Sequence, residues 1–135
     1  TWDPETAVVD PPVVPVEPEG YDDVARSLVA GKILAVENPG PTICDALQTL
    51  FCSPLTFGIL SERALPGVWV SEAEVMAAVA FAFRELKLVV EPGGSVALAA
   101  VLAGKVDVRG KTVAVLLSGG NVDAEMFTRC LRESA

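Results

Sequence analysis

The chain has 135 residues, 51% of them hydrophobic, and carries a formal net charge of -8 at pH 7. The acidic balance argues against a nucleic-acid partner, and the lack of any histidine excludes Ser-His and Cys-His nucleophilic catalysis by this chain alone. The length suits one domain, while the high apolar content suggests that part of its surface packs on another domain or subunit.

The distribution of apolar residues and cysteines bears on the compartment. The apolar runs are far shorter than the roughly 20 residues that a membrane span needs, and the first residues resemble no signal peptide. The three cysteines, Cys44, Cys52 and Cys130, are odd in number and irregularly spaced. This pattern favours a reducing compartment over a disulfide framework or a zinc site, so we expect a cytoplasmic protein.

The N-terminal third begins with an acidic, proline-rich segment. Residues 1–12 are predicted to be extended or disordered, because proline blocks helices and central strands. A short strand is predicted at residues 13–16, although Pro15 lies within it. A helix follows between Gly20 and Gly31, with Val24, Leu28 and Val29 as its expected apolar stripe.

The middle of the chain contains the clearest helix signal. A turn at residues 38–41 and an ambiguous stretch at 42–47 precede a short helix at 56–63 and a short strand at 67–70. Residues 71–74, Ser-Glu-Ala-Glu, form a capping box that opens the next helix. Its expected stripe consists of four apolar residues, Val75, Val79, Phe83 and Leu86.

The C-terminal third alternates glycine turns with apolar runs. Residues 91–95 break the preceding helix, and the alanine-rich residues 96–103 predict a buried helix. Residues 112–117 predict a strand buried on both faces. It ends in the turn Ser-Gly-Gly-Asn, and Asp123 then caps a short amphipathic helix.

Helices interleaved with short buried strands predict an α/β layer architecture with a mostly parallel sheet. Three plausible strands are few for a complete sheet of this kind, so we expect the sheet to be incomplete in this chain. Ligands of open α/β sheets bind at the carboxyl ends of strands, which makes Ser118 the first candidate site residue. The alternative at this stage is a tight turn without chemistry.

Four short segments together resemble a known family. They are residues 16–20 (Val-Glu-Pro-Glu-Gly), 42–47 (Thr-Ile-Cys-Asp-Ala-Leu), 91–95 (Glu-Pro-Gly-Gly-Ser) and 118–123 (Ser-Gly-Gly-Asn-Val-Asp). Their order and spacing resemble the C-terminal part of the pyridoxal-phosphate-dependent serine/threonine dehydratases, the group that includes serine racemase. The resemblance covers about residues 13–131, and the last segment is the most specific.

The resemblance implies a fold, a cofactor and a reaction. The expected fold is the three-layer α/β fold type II of pyridoxal-phosphate enzymes, like that of the tryptophan synthase β chain. Ser118 is expected to bind the pyridine nitrogen through its hydroxyl, with Gly119 beside it and Glu91 close to the ring. The implied reaction is elimination of water from L-serine or L-threonine, giving a 2-oxo acid and ammonia. Serine racemisation is a related possibility.

The resemblance also implies two further sites. Glu17, the carbonyl of Tyr21 and Asp23 match residues that bind Mg²⁺ or Ca²⁺ in metal-activated relatives, and such oxygen ligands suit hard cations. The alternative is that these acids only interact with the N-terminus of a helix. Lys87 and Asn121 match residues that contact a nucleotide effector in some relatives, although a lysine at a helix end is usually a solvated charge.

Important parts of the family pattern have no match in this sequence. They are the lysine that forms the Schiff base, the asparagine loop over the cofactor and the glycine-rich phosphate loop. Cys44 and Ala46 also stand where an alanine and a glycine are usual. We therefore expect no catalytic residue in this chain, and expect residues 13–135 to be the C-terminal part of a catalytic region that is inactive alone.

The expected partners are a small hydroxy-amino acid, the N-terminal half of the enzyme and, as is usual in similar enzymes, a second subunit. The sequence does not distinguish serine, threonine and 3-hydroxyaspartate as substrates. Two alternatives stay open. The chain could be an α/β module that holds an anion or nucleotide at Gly119 and Gly120, or a fragment that serves only in subunit interaction.

Overall fold

A computed structural model describes residues 11–134. Most of the predicted extended segment 1–12 therefore lies outside the described residues. The regular elements, in chain order, are β1 (Val16–Pro18), α1 (Asp23–Ala30), α2 (Pro54–Arg63), β2 (Val68–Val70), α3 (Glu72–Phe81), α4 (Val96–Leu102) and α5 (Ala124–Glu133). The order confirms the predicted mixture of helices and short strands.

The two strands pair in parallel, with Val16 opposite Val68 and Pro18 opposite Val70. The prediction of a strand at residues 67–70 is confirmed, whereas the one at 13–16 is displaced toward Pro18. Pro15 lacks an N–H, but its carbonyl accepts a hydrogen bond from the Val68 N–H at 3.0 Å. The ladder therefore uses the acceptor that proline retains.

Helix α1 ends at Gly31 as predicted, but its expected apolar stripe is wrong. The face that it buries carries Asp23, Ala25 and Ser27, while Val29 is 81% exposed. Ser27 is satisfied there because its hydroxyl accepts the Leu34 N–H at 2.9 Å. The buried face of α1 is therefore partly polar, and the Ser27 hydroxyl is satisfied within it.

Helix α3 is the centre of the core and packs against α4 and α5. Its capping box is present, since Ser71 and Glu74 exchange hydrogen bonds between side chain and backbone. Val75 and Val79 are fully buried, but Phe83 and Leu86 are not. The helix continues into a π-helical turn at Ala82–Leu86, which adds a residue to the turn and rotates these two side chains off the buried face.

Helices α4 and α5 confirm two further predictions. Helix α4 buries Leu98, Ala99 and Ala100 beneath the two strands and α3. Helix α5 is capped by Asp123, whose Oδ1 accepts the Met126 N–H at 2.8 Å, and it buries Cys130. Phe83 meets Phe127 edge to face, with ring centroids 5.3 Å apart.

The predicted strand at residues 112–117 is wrong for the described part of the chain. This segment makes no ladder there, and Leu116 is 77% exposed. In the described residues β1 pairs with β2, and no strand pairs with this segment. An apolar segment without a neighbouring strand is left on the surface.

No helix among residues 11–134 has the length and apolar content needed to cross a bilayer.

Candidate functional site

The predicted turn at Ser118 packs against the segment that begins at Glu91. The Glu91 N–H donates to the carbonyl of Gly119 at 3.2 Å, and one Glu91 carboxylate oxygen accepts the Asn121 N–H at 3.0 Å. The Ser118 N–H donates to the carbonyl of Gly94 at 3.3 Å. Two segments that are distant in the sequence therefore form one interlocked unit.

Glycines make this close approach possible. A Cβ at Gly94 would lie 2.6 Å from the Ser118 carbonyl oxygen, which is closer than real Cβ atoms come. A Cβ at Gly119 would lie 2.7 Å from a Glu91 carboxylate oxygen, and the positive φ of 104° at Gly119 also disfavours a side chain. Both positions thus require glycine for different reasons.

A mostly apolar cavity of about 600 Å³, here called the central cavity, lies beside this unit. It is lined by residues of three segments, 11–16, 93–101 and 111–118, and by a few residues outside them. Ser118 and Gly94 line it, whereas Glu91 and Gly119 are not among its lining residues. The Ser118 hydroxyl has no hydrogen-bond partner within the described part of the chain. Among the described residues, nothing occupies this hydroxyl at the wall of the cavity.

The third motif, residues 42–47, reaches the same place. The Glu72 carboxylate accepts the Thr42 hydroxyl at 2.6 Å and the Ile43 N–H at 3.1 Å, which fixes the loop against the start of α3. Leu47 lines the central cavity and would contact a Cβ at Gly93 at 3.5 Å. The structure thus places residues of three motifs in the lining of the cavity, and Val16 of the remaining motif lines it too.

The fourth motif lies at the N-terminus of α1. Both Glu17 carboxylate oxygens accept backbone amides of α1, from Val24 at 3.0 Å and from Ala25 at 2.9 Å. Burial raises the pKa of Glu17 to about 7, against the lowering effect of these bonds and with help from the negative charge of Asp23. Glu17 therefore occupies the helix-terminal position that was the alternative to metal binding.

Asp23 is the second residue of the predicted metal site. Its side chain is 2% exposed, and its Oδ2 is buried without a hydrogen-bond partner among the described residues. Burial raises the pKa of Asp23. The structure places no group of three or more His, Cys, Asp or Glu side chains suited to a metal within residues 11–134. Tyr21 is held nearby by its hydroxyl, which donates to the Gly40 carbonyl at 2.7 Å.

The two predicted effector residues are not joined by a hydrogen bond in the described structure. The Lys87 ammonium donates to the carbonyl of Arg84, whereas the Asn121 backbone N–H donates to the Glu91 carboxylate. The nucleotide site at these residues stays a prediction.

Sequence reasoning missed the role of Gly94 and of the Val89 carbonyl. A Cβ at Gly120 would lie 2.8 Å from that carbonyl oxygen, so the turn touches residues 89–94 along its length. The Gly-Gly pairs at residues 93–94 and 119–120 were a usable signal in the sequence. Two backbone segments without side chains can approach each other more closely than other backbones.

Comparison with known proteins agrees with this geometry. The family model described as pyridoxal-phosphate dependent enzyme matches residues 4–119. An L-threo-3-hydroxyaspartate ammonia-lyase of a Pseudomonas species is 38% identical over 117 residues, and an L-threonine ammonia-lyase of Thermotoga maritima is 36% identical over 121. These matches cover 87% and 90% of this chain but 36% and 30% of the relatives. The chain thus spans about a third of the length of these curated relatives.

Solved structures give the same result. A threonine deaminase from the organism abbreviated T.th. superposes with a TM-score of 0.76 at 46% identity, covering 83% of this chain and 40% of that one. A maize serine racemase also gives a TM-score of 0.76, at 28% identity, covering 87% of this chain and 37% of that one. The predicted fold class is confirmed: a small parallel sheet with helices forms part of an α/β domain of fold type II.

With a matching family model over most of its length and relatives above 30% identity, this chain belongs to the pyridoxal-phosphate-dependent enzyme family.

Proposed function

We propose that this chain forms the C-terminal wall of the cofactor site in a dehydratase that converts L-threonine or L-serine to a 2-oxo acid and ammonia. The observation that carries the proposal is the Ser118 hydroxyl, which belongs to the lining of the central cavity and has no hydrogen-bond partner among residues 11–134. A cavity of about 600 Å³ is also within the range of small-molecule sites, roughly 300–1,000 Å³. Ammonia-lyases among the relatives support the reaction.

The residues of the site suit pyridoxal phosphate. The cofactor supplies the electron sink of the reaction when it is bound, and the protein supplies orientation and electrostatics. Ser118 is the residue that would bind the pyridine nitrogen, with Gly119 and Glu91 supporting it. A serine hydroxyl is too weak an acid to protonate the pyridine nitrogen and carries no negative charge that would stabilise the protonated form, as an aspartate would. A nitrogen bonded to Ser118 is therefore expected to stay neutral. The chain therefore orients the ring without adding charge to it.

The rest of the site is proposed to come from the other two-thirds of the enzyme. Residues 112–117 expose apolar surface and make no strand pairing among the described residues, which supports an additional strand beside them. The Schiff-base lysine and the phosphate loop would enter with that portion. A second subunit and a reducing, cytoplasmic compartment belong to the same proposal; the three free, buried cysteines support the latter.

Serine racemisation is the second candidate, because serine racemases of Schizosaccharomyces pombe and maize are among the relatives. Both activities use the same cofactor contact at Ser118. The choice between them depends on groups outside this chain, so product analysis decides it.

A divalent cation near α1 is a further part of the proposal. The Asp23 Oδ2, which has no hydrogen-bond partner among residues 11–134, supports this part, because an unpaired buried carboxylate oxygen gains a partner when a cation binds. Glu17 and the Tyr21 carbonyl would be the other ligands. If Ca²⁺ and Mg²⁺ at millimolar concentrations leave the midpoint of unfolding unchanged, this assignment is wrong.

The test uses the chain together with the complementary portion of the enzyme. We expect the complex to bind pyridoxal phosphate, seen as visible absorbance, and to release ammonia from L-threonine or L-serine. Ser118→Ala should weaken cofactor binding about tenfold, the value of one hydrogen bond, whereas Ser61→Ala on exposed α2 should not. A complex that assembles by sedimentation but neither binds the cofactor nor releases ammonia would refute the proposal.

A further inference from the structure

We infer that Glu91 is a positioning residue that holds the Ser118–Asn121 turn by hydrogen-bond geometry, and that its negative charge is not what the site requires. The inference rests on the proposed function for the meaning of the turn. The contacts themselves involve only residues of this chain.

Glu91 binds the turn twice. Its backbone N–H donates to the Gly119 carbonyl at 3.2 Å, and its side-chain Oε2 accepts the Asn121 N–H at 3.0 Å. The two bonds fall on either side of Gly120, so together they fix both the position and the direction of the turn. The Ser118 N–H, bonded to the Gly94 carbonyl, anchors the start of the turn, and the side-chain bond of Glu91 anchors its far end.

The position of the carboxylate depends on Gly119. The other oxygen, Oε1, would lie only 2.7 Å from a Cβ at residue 119, so a side chain at this position would clash with it. With φ at 104°, Gly119 presents its bare Cα to the carboxylate. The turn and the glutamate are therefore shaped to fit one another.

Glu91 acts on the cavity through the turn. Ser118 and Gly94 line the central cavity, and Glu91 does not. The carboxylate oxygens instead face Gly119 and the backbone of Asn121. Loss of the bond to Asn121 is expected to loosen the turn beyond Gly119, and even a small displacement of the neighbouring Ser118 hydroxyl is costly for binding and catalysis.

Two substitutions separate geometry from charge. Glu91→Gln retains the side-chain length and an acceptor oxygen but removes the charge. Glu91→Asp retains the charge but is shorter by one methylene, about 1.5 Å, and does not reach the Asn121 N–H. If Glu91 acts by positioning, Glu91→Gln should retain the ordered turn and the cofactor affinity, and Glu91→Asp should lose them. If its charge acts directly on the cofactor, the reverse is expected.

The first readout needs no cofactor. Amide hydrogen exchange of Asn121, measured by NMR on the chain itself, should speed up about tenfold in Glu91→Asp and Glu91→Ala, the effect of losing one hydrogen bond. Glu91→Gln should stay within about threefold of the wild type on the same scale. The exposed Glu85→Asp is the matched control and should change nothing. Equal acceleration in Gln and Ala, or wild-type exchange in Asp, would overturn the inference.

The second readout is cofactor affinity in the assembled enzyme. We expect a pyridoxal-phosphate affinity near that of the wild type in Glu91→Gln and about tenfold weaker in Glu91→Asp. If the wild-type enzyme binds no cofactor, the proposed function is wrong. The amide hydrogen exchange rate of Asn121 would still decide whether Glu91 holds the turn. Cofactor binding in the wild type with tight binding in Asp and weak binding in Gln would reject this inference alone.

Discussion

The contact between Gly94 and Ser118 predicts that Gly94→Ala disrupts the site. The new Cβ would lie 2.6 Å from the Ser118 carbonyl oxygen, 3.0 Å from the Ser118 carbonyl carbon and 3.0 Å from the Gly119 carbonyl oxygen. All three are backbone atoms, and the Gly94 carbonyl also accepts the Ser118 N–H. The two segments must therefore separate to admit a single methyl group.

The expected cost is that of overpacking a well-packed region, about 1–3 kcal/mol of the free energy of unfolding. Gly93→Ala is the neighbouring control, because its Cβ would meet Leu47 at 3.5 Å and Ala46 at 3.6 Å, which are ordinary contacts. Gly58→Ala in α2 meets no atom within 4 Å. It should stabilise the chain by about 0.5–1 kcal/mol because alanine favours a helix.

Urea unfolding followed by circular dichroism measures the three changes on one scale. We expect a lower midpoint for Gly94→Ala, little change for Gly93→Ala and a higher midpoint for Gly58→Ala, with similar slopes. If Gly94→Ala is as stable as Gly93→Ala, the interlocked packing of residues 89–94 on the turn is wrong.

Two further predictions concern α1 and α3. The pKa of Glu17 rises from its ordinary value of 4.5 to about 7 on folding, so the folded chain binds the proton more tightly. The free energy of unfolding should therefore fall by roughly 2–3 kcal/mol between pH 4.5 and 8. Urea titrations at several pH values should show a weaker pH dependence of this free energy in Glu17→Gln. An unchanged pH dependence would contradict the raised pKa of Glu17. Ser71→Ala removes the capping box of α3 and should cost about 0.5–2 kcal/mol, whereas Ser61→Ala should cost little in the same assay.

The parts of the fold that local sequence determines were predictable. The capping box of α3, the Gly31 end of α1 and the Asp123 cap of α5 depend on residues within a few positions of each other. Features set by distant packing were not predictable. The burial of Ser27 on α1 depends on the distant Leu34 N–H that its hydroxyl accepts, and the exposure of residues 112–117 depends on the lack of a strand paired with them among the described residues.

The candidate site divides in the same way. The motif order predicted a common site for Ser118, Gly119 and Glu91; in the structure Glu91 contacts Gly119, and Ser118 bonds to Gly94 in the same segment as Glu91. The sequence did not reveal that the Glu91 carboxylate accepts the Asn121 N–H instead of lining the central cavity. That detail depends on the φ of Gly119 and on the path of residues 89–94, which only the folded backbone defines.

The placement of Ser118 at the cofactor ring is tested most directly by the protonation state of the pyridine nitrogen. This state is measured by ¹⁵N NMR of labelled pyridoxal phosphate in the assembled enzyme. We expect a neutral, hydrogen-bonded nitrogen in the wild type, a loss of that bond in Ser118→Ala and a protonated nitrogen in Ser118→Asp. A protonated nitrogen in the wild type, or a signal that is the same in all three proteins, would contradict the placement of Ser118 at the ring.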